Sequence, residues 1–129
     1  VSYHSEAAIV FPEGVEGTFI AACQTVARHA GAYGEPRDPQ HERAERYQAE
    51  GLVLYHWAPR SLRDWDAVLE EFRRLLKARF EAAGTPEEDP TDHFRALRMG
   101  DSWGDGEDEG NLEADPFNLG WTWNIVFEV

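Results

Sequence analysis

Residues 61–83, SLRDWDAVLEEFRRLLKARFEAA, constrain this chain more than any other stretch. Trp65, Val68, Leu69, Phe72, Leu75, Leu76 and Phe80 recur at three- and four-residue steps, so a 3.6-residue helix gathers them into one apolar stripe. Asp66, Glu70, Glu71, Arg73, Arg74 and Lys77 fall on the opposite side. Ser61 offers an N-cap oxygen, Asp64 three residues on completes a capping box, and Gly84 with Pro86 supplies the stop. Burying each large stripe residue is worth about 1.5 to 3 kcal/mol. Such a helix has to lie on a sheet or on another helix.

The flanking segments supply both. Residues 3–11 read as a strand whose AAIVF centre is apolar on both faces, which suits an interior position. Pro12 and Gly14 end it, and residues 18–30 form a second amphipathic helix through Phe19, Ile20, Cys23, Val26 and Ala27. Residues 32–40 read as a proline-rich loop, and Asp38 with Pro39 can open a third, polar segment through residue 50, a surface helix or a mobile flap with only Ala44 and Tyr47 facing inward. Residues 52–58 (LVLYHWA) are a strand apolar on both faces and the expected centre of the sheet. Residues 93–99 form another strand, and residues 121–129 alternate as a half-buried one, with Trp121, Trp123, Ile125, Phe127 and Val129 on one side.

Helices between strands favour parallel neighbours, while the last two strands can pair antiparallel across a long hairpin. The expectation is an α+β two-layer sandwich, a mixed four-stranded sheet with two amphipathic helices on one face, built as one domain over residues 1–129. The opposite face would stay open to water, which argues for a homodimer through it or for the Tyr47 helix acting as its cover.

Composition excludes several functions. A net charge of −13, from 25 acids against 12 bases, repels nucleic-acid phosphate. No apolar run approaches the roughly 20 residues needed to span a bilayer, and no basic segment precedes the short apolar run at the start, so the expected compartment is the cytoplasm. One cysteine, Cys23, allows neither an internal disulfide nor a cysteine-based zinc site. Its apolar neighbours mark it as a buried small hydrophobe. GxSxG, GxxxxGK[ST] and GxGxxG signatures are absent, and His4, His29, His41, His56 and His93 show no HxxxH spacing, so no cofactor is expected.

Residues 100–120 carry the unusual chemistry: Asp101, Asp105, Glu107, Asp108, Glu109, Glu113 and Asp115, with no Lys or Arg. A hard cation on Asp101, Asp105 and Glu107 is the metal reading, but the register of a calcium loop fails. Counting Asp101 as first ligand puts Trp103 third and Leu112 twelfth, where a carboxylate is required. A solvated hairpin tip, or a docking surface for a basic protein, accounts for the acids without a metal. Trp103, the tryptophan set among these acids, either anchors a partner or cationic ligand or folds back to plug the hairpin.

The function expected from these residues is a small, acidic, non-catalytic interaction module of inhibitor, immunity or adaptor type. It would meet a basic protein through Trp103, Asp105, Glu107, Asp108 and Glu109. The alternative, a small enzyme or ligand-binding domain, would use the strand ends around His56, Arg60 and Trp103.

Overall fold

A computed structural model describes residues 5–30, 38–60, 62, 64–100, 106–121 and 124–129, apart from the side chains of Ala30 and Arg60. The chain runs β1 (Ser5–Pro12), α1 (Glu16–Ala30), β2 (Glu45–Ala49), β3 (Leu52–Arg60), α2 (Trp65–Ala82), β4 (Arg95–Met99), β5 (Gly106–Glu109), β6 (Gly120–Trp121) and β7 (Ile125–Val126). Strands β1 to β5 form one sheet in the order β2-β3-β1-β4-β5, and β6 pairs with β7 in a separate hairpin.

The α+β class holds, and the finer architecture is corrected. The sheet has five strands, and all four pairings between them are antiparallel. Because β3 and β4 both run against β1, they are parallel to each other with β1 inserted between them; β1 and β2 flank β3 in the same way. This is the split β–α–β connectivity, used twice. The helical crossovers do join parallel strands, but those strands are not neighbours, so the expected mixed sheet does not arise. β1, not β3, takes the centre.

Residues 38–50 are not a helix. A 3-10 turn at Gln40–Arg43 leads into edge strand β2, which closes onto β3 through Glu50 and Gly51. Both turn residues have positive φ, 51° and 78°, the conformation a two-residue hairpin requires. Residues 93–99 are shorter than expected as a strand, since His93 belongs to a 3-10 turn at Pro90–His93.

The stripe of α2 behaves as its spacing requires: Trp65, Val68, Leu69, Phe72 and Leu76 are buried. Gly84, at φ 79°, ends it, with Thr85 N–H reaching Phe80 O at 2.8 Å and Gly84 N–H reaching Glu81 O at 3.2 Å. The start differs. Asp64, at φ 61°, precedes the first helical residue and makes no side-chain cap bond, while Ser61 lies outside the described residues.

Both helices pack on one face of the sheet, over Ala7, Ile9, Phe11, Val53, Tyr55, Trp57 and Ala96. Phe19 sits at the centre, with ring centroids 5.1 Å from Phe11 and 5.4 Å from Phe72. The buried indole of Trp57 donates to Gln40 O at 2.8 Å, tying the 3-10 turn to the same core.

The opposite face is not open. Ala8, Val10, Leu54 and Leu97 are covered by Phe117, Leu119 and Ile125, with Tyr47 and Phe127 packed beside them. The C-terminal segment folds across this face instead of joining the sheet beside β4, so the face expected to support a homodimer is already covered. Asp115 builds the crossing turn: its carboxylate accepts from Phe117 N–H at 2.9 Å and Leu119 N–H at 2.7 Å. Among the described residues no helix is long and apolar enough to cross a membrane.

Candidate functional site

Two places bring polar chemistry together: the acidic outer edge of the sheet and the bulged end of its central strands. The acids expected at a hairpin tip form, in part, strand β5. Its ladder with β4 sets Glu107 opposite Arg98, Asp108 opposite Leu97 and Glu109 opposite Ala96. Alternation then sends Glu107 and Glu109 to the helix face and Asp108 to the other. Glu109 is ion-paired with Arg73 from α2, and Asp108 lies 3.4 Å from Arg95 Nη2, whose Nη1 donates to Leu119 O at 2.6 Å. Glu107 and Asp108 remain exposed.

Trp103, Asp101 and Asp105 lie outside the described residues. The aromatic that the described structure sets against the acidic strand is Trp121, whose six-membered ring lies over Gly106. A Cβ built on that glycine would stand 3.1 Å from Trp121 Cη2. Trp121 was expected in the core and is instead 37% exposed. Among the described residues no group of three or more His, Cys, Asp or Glu is arranged to hold a metal ion.

At the other place, the register of β1 and β3 moves from Ala7 opposite Trp57 to Ser5 opposite Arg60, so Ala58 and Pro59 together face the single residue Glu6. Proline is tolerated there because a bulge interrupts the ladder. Glu6 and His56 then share the face covered by the C-terminal segment. His56 Nε2 lies 2.8 Å from Glu6 Oε2, with the two side chains 15% and 12% exposed. Glu6 Oε1 accepts from Ile125 N–H at 2.9 Å, and the His56 ring rests 4.9 Å from that of Phe127.

Sequence reasoning found His56 and missed Glu6. The available signal was a lone carboxylate at the mouth of an otherwise apolar interior strand, since such a group has to find hydrogen-bond donors. Parallel pairing of these strands would have set the start of β1 and the later part of β3 at opposite ends; antiparallel pairing brings Glu6 to His56. His4 lies outside the described residues, and so does the Arg60 side chain. His93 is remote from this pair, with Nε2 3.1 Å from Glu88.

A third polar group is structural. Arg46 on β2 grips Glu16 of α1 with Nε at 2.6 Å and Nη2 at 2.8 Å, and Tyr55 O–H donates to the same carboxylate at 2.6 Å. The guanidinium bonds hold Glu16 below the usual carboxylate range, while burial and then the Glu16 contact raise the Tyr55 hydroxyl. Cys23 is buried, and desolvation pushes its thiol up to about 12, which removes thiolate chemistry at neutral pH. An open groove of about 450 Å³ runs between the helices past Val26, Ala67 and the paired Glu71 and Arg74.

Comparison with protein-family models, with curated proteins and with solved structures finds no match for this chain.

Proposed function

We propose that this chain is an acidic, cytoplasmic, non-catalytic interaction module that binds a basic protein, in the manner of an inhibitor, immunity or adaptor protein. The observation that carries the reading is the position of β5. Carboxylates occupy three of its four residues, and it forms the outer strand of the sheet in a chain of net charge −13. Such a field attracts basic partners and speeds their encounter. The described residues of the proposed surface are Glu107, Asp108 and Glu109; Trp103 and Asp105, expected to join them, precede β5 in sequence and lie outside the described residues.

Capture of a basic protein from the native host tests this. Binding should weaken steeply at high salt and be lost in the Glu107→Lys, Asp108→Lys double variant. Capture that ignores both would refute the proposal.

A second reading is favoured by the 2.8 Å contact between His56 and Glu6. A carboxylate that orients an imidazole through one ring nitrogen leaves the other for acid–base work or for a ligand. Here a small enzyme or ligand-binding domain would act beside the bulge, with Arg60 at its rim. Screening small acidic and neutral metabolites by NMR decides between them: His56 ring resonances that ignore every compound remove its support.

A further inference from the structure

We propose that the outer edge of β5 accepts an extended, arginine-bearing segment of the basic partner as a sixth strand, with Trp121 as its aromatic anchor. This rests on the reading of the chain as a module for a basic protein, and it specifies how that protein is held.

The sheet ends at β5, and no described residue pairs with the outer side of Gly106–Glu109. In an antiparallel ladder alternate residues of an edge strand keep N–H and C=O pointing away from the sheet, which is a template for another strand. Charge decides what can add there. Two copies of β5 set edge to edge would oppose carboxylate to carboxylate, so self-pairing is repelled. A strand carrying Arg at alternate positions meets the opposite sign. Its side chains on one face reach Glu107, and those on the other reach Asp108, whose side chain is 45% exposed.

Trp121 lies on that second face. Its ring rests over Gly106, at the start of β5, because glycine leaves room for it. An arginine entering beside Asp108 can stack on the exposed indole while its guanidinium bonds the carboxylate, combining a cation–π contact with an ion pair. Main-chain pairing would supply affinity and these two faces would supply selectivity, the division of labour of strand-addition complexes.

The test is a titration of isotope-labelled protein with a short synthetic peptide alternating arginine and threonine, followed by NMR. The expected shifts fall on the amides of Gly106–Glu109 and on the Trp121 indole N–H. A peptide N-methylated at the residues that would pair should bind at least about tenfold more weakly, as should the Glu107→Gln, Asp108→Asn variant; Trp121→Ala should lose roughly fivefold. The Gln/Asn variant changes only exposed side chains, so it remains informative if Trp121→Ala misfolds. Shifts scattered over acids elsewhere, such as Glu42, Glu87 and Glu88, or equal binding of the methylated peptide, overturn the inference. If capture of the host protein persists with the β5 variants but still weakens with salt, strand addition fails while the basic-partner reading stands; if capture is absent, or ignores both salt and the variants, that reading fails.

Discussion

The two faces of the sheet are both buried, but by unlike means. One carries two long helices whose apolar stripes meet seven sheet residues in a cluster of packed aromatic rings. The other is covered by turns and the two-residue strands of β6 and β7, held by Asp115, by Glu6 and by Glu128 N–H on Phe117 O at 2.6 Å. A helix satisfies its own backbone and brings a continuous stripe to the core. An irregular cover has to find a partner for each exposed N–H and C=O, so its fit depends on individual polar contacts. The helix face should therefore hold most of the stability, and the other face should open first.

The largest expected loss lies on the helix face. Phe72→Ala should cost about 3 to 5 kcal/mol and Leu69→Ala about 2 to 5, measured by chemical denaturation. Phe127→Ala, on the opposite face and only partly buried, should cost about 1 to 2 kcal/mol. Equal losses would break the contrast between the faces. Gly110 marks the passage from β5 toward the second face: its φ is 93°, and an added Cβ would stand 2.1 Å from Phe94 O. Gly110→Ala should cost about 2 kcal/mol or more, with backbone hydrogen exchange of β6 and β7 accelerated before that of β1.

Glu16→Gln should cost about 1 to 2 kcal/mol at neutral pH, because it weakens the clamp joining α1 to β2 and β3. The folded carboxyl titrates below its ordinary value of 4.5, so it binds its proton less readily than in the unfolded chain. Its contribution is thus complete above that value and lost as pH falls through the lower, folded one. Denaturation of wild type and variant should converge in that acid window and run parallel above it. The smallest effect belongs to the edge: Glu107→Gln should stay within about 0.5 kcal/mol, and Glu109→Gln should lose no more than about 1, the worth of a half-exposed pair with Arg73. A larger loss at Glu107 would mean that the acidic strand maintains the fold instead of displaying charge.

How far the residues announced this architecture depends on how local each signal is. Five stripe residues and the Gly84 stop of α2 were readable because helix periodicity and C-terminal capping act within one or two turns. The double-sided apolar runs of β1 and β3 were readable for the same reason. Residues 45–49 were misread because Glu, Arg, Gln and Ala favour helix, while the deciding feature was a turn at Glu50 and Gly51 that pairs them with β3. β5 has no apolar side chain to reveal it; the ladder to β4, Arg95 of that strand and Arg73 of α2 hold it. At the candidate sites, His56 and the acids of β5 were legible as residue types. Glu6 and Trp121 were not, since each acquires its role from a distant neighbour.

Taken by itself, the sequence determined an acidic α+β chain, its two amphipathic helices and the two strands buried on both sides. Tertiary structure alone decided that β1 is central, that the C-terminal segment closes the second face, and that Glu6 meets His56 fifty residues away and Ile125 at a separation of 119. The reason is physical. Periodicity reports which side of a segment avoids water, whereas contacts across such separations form only when the burial of the whole chain outweighs the entropy of closing the loops between them.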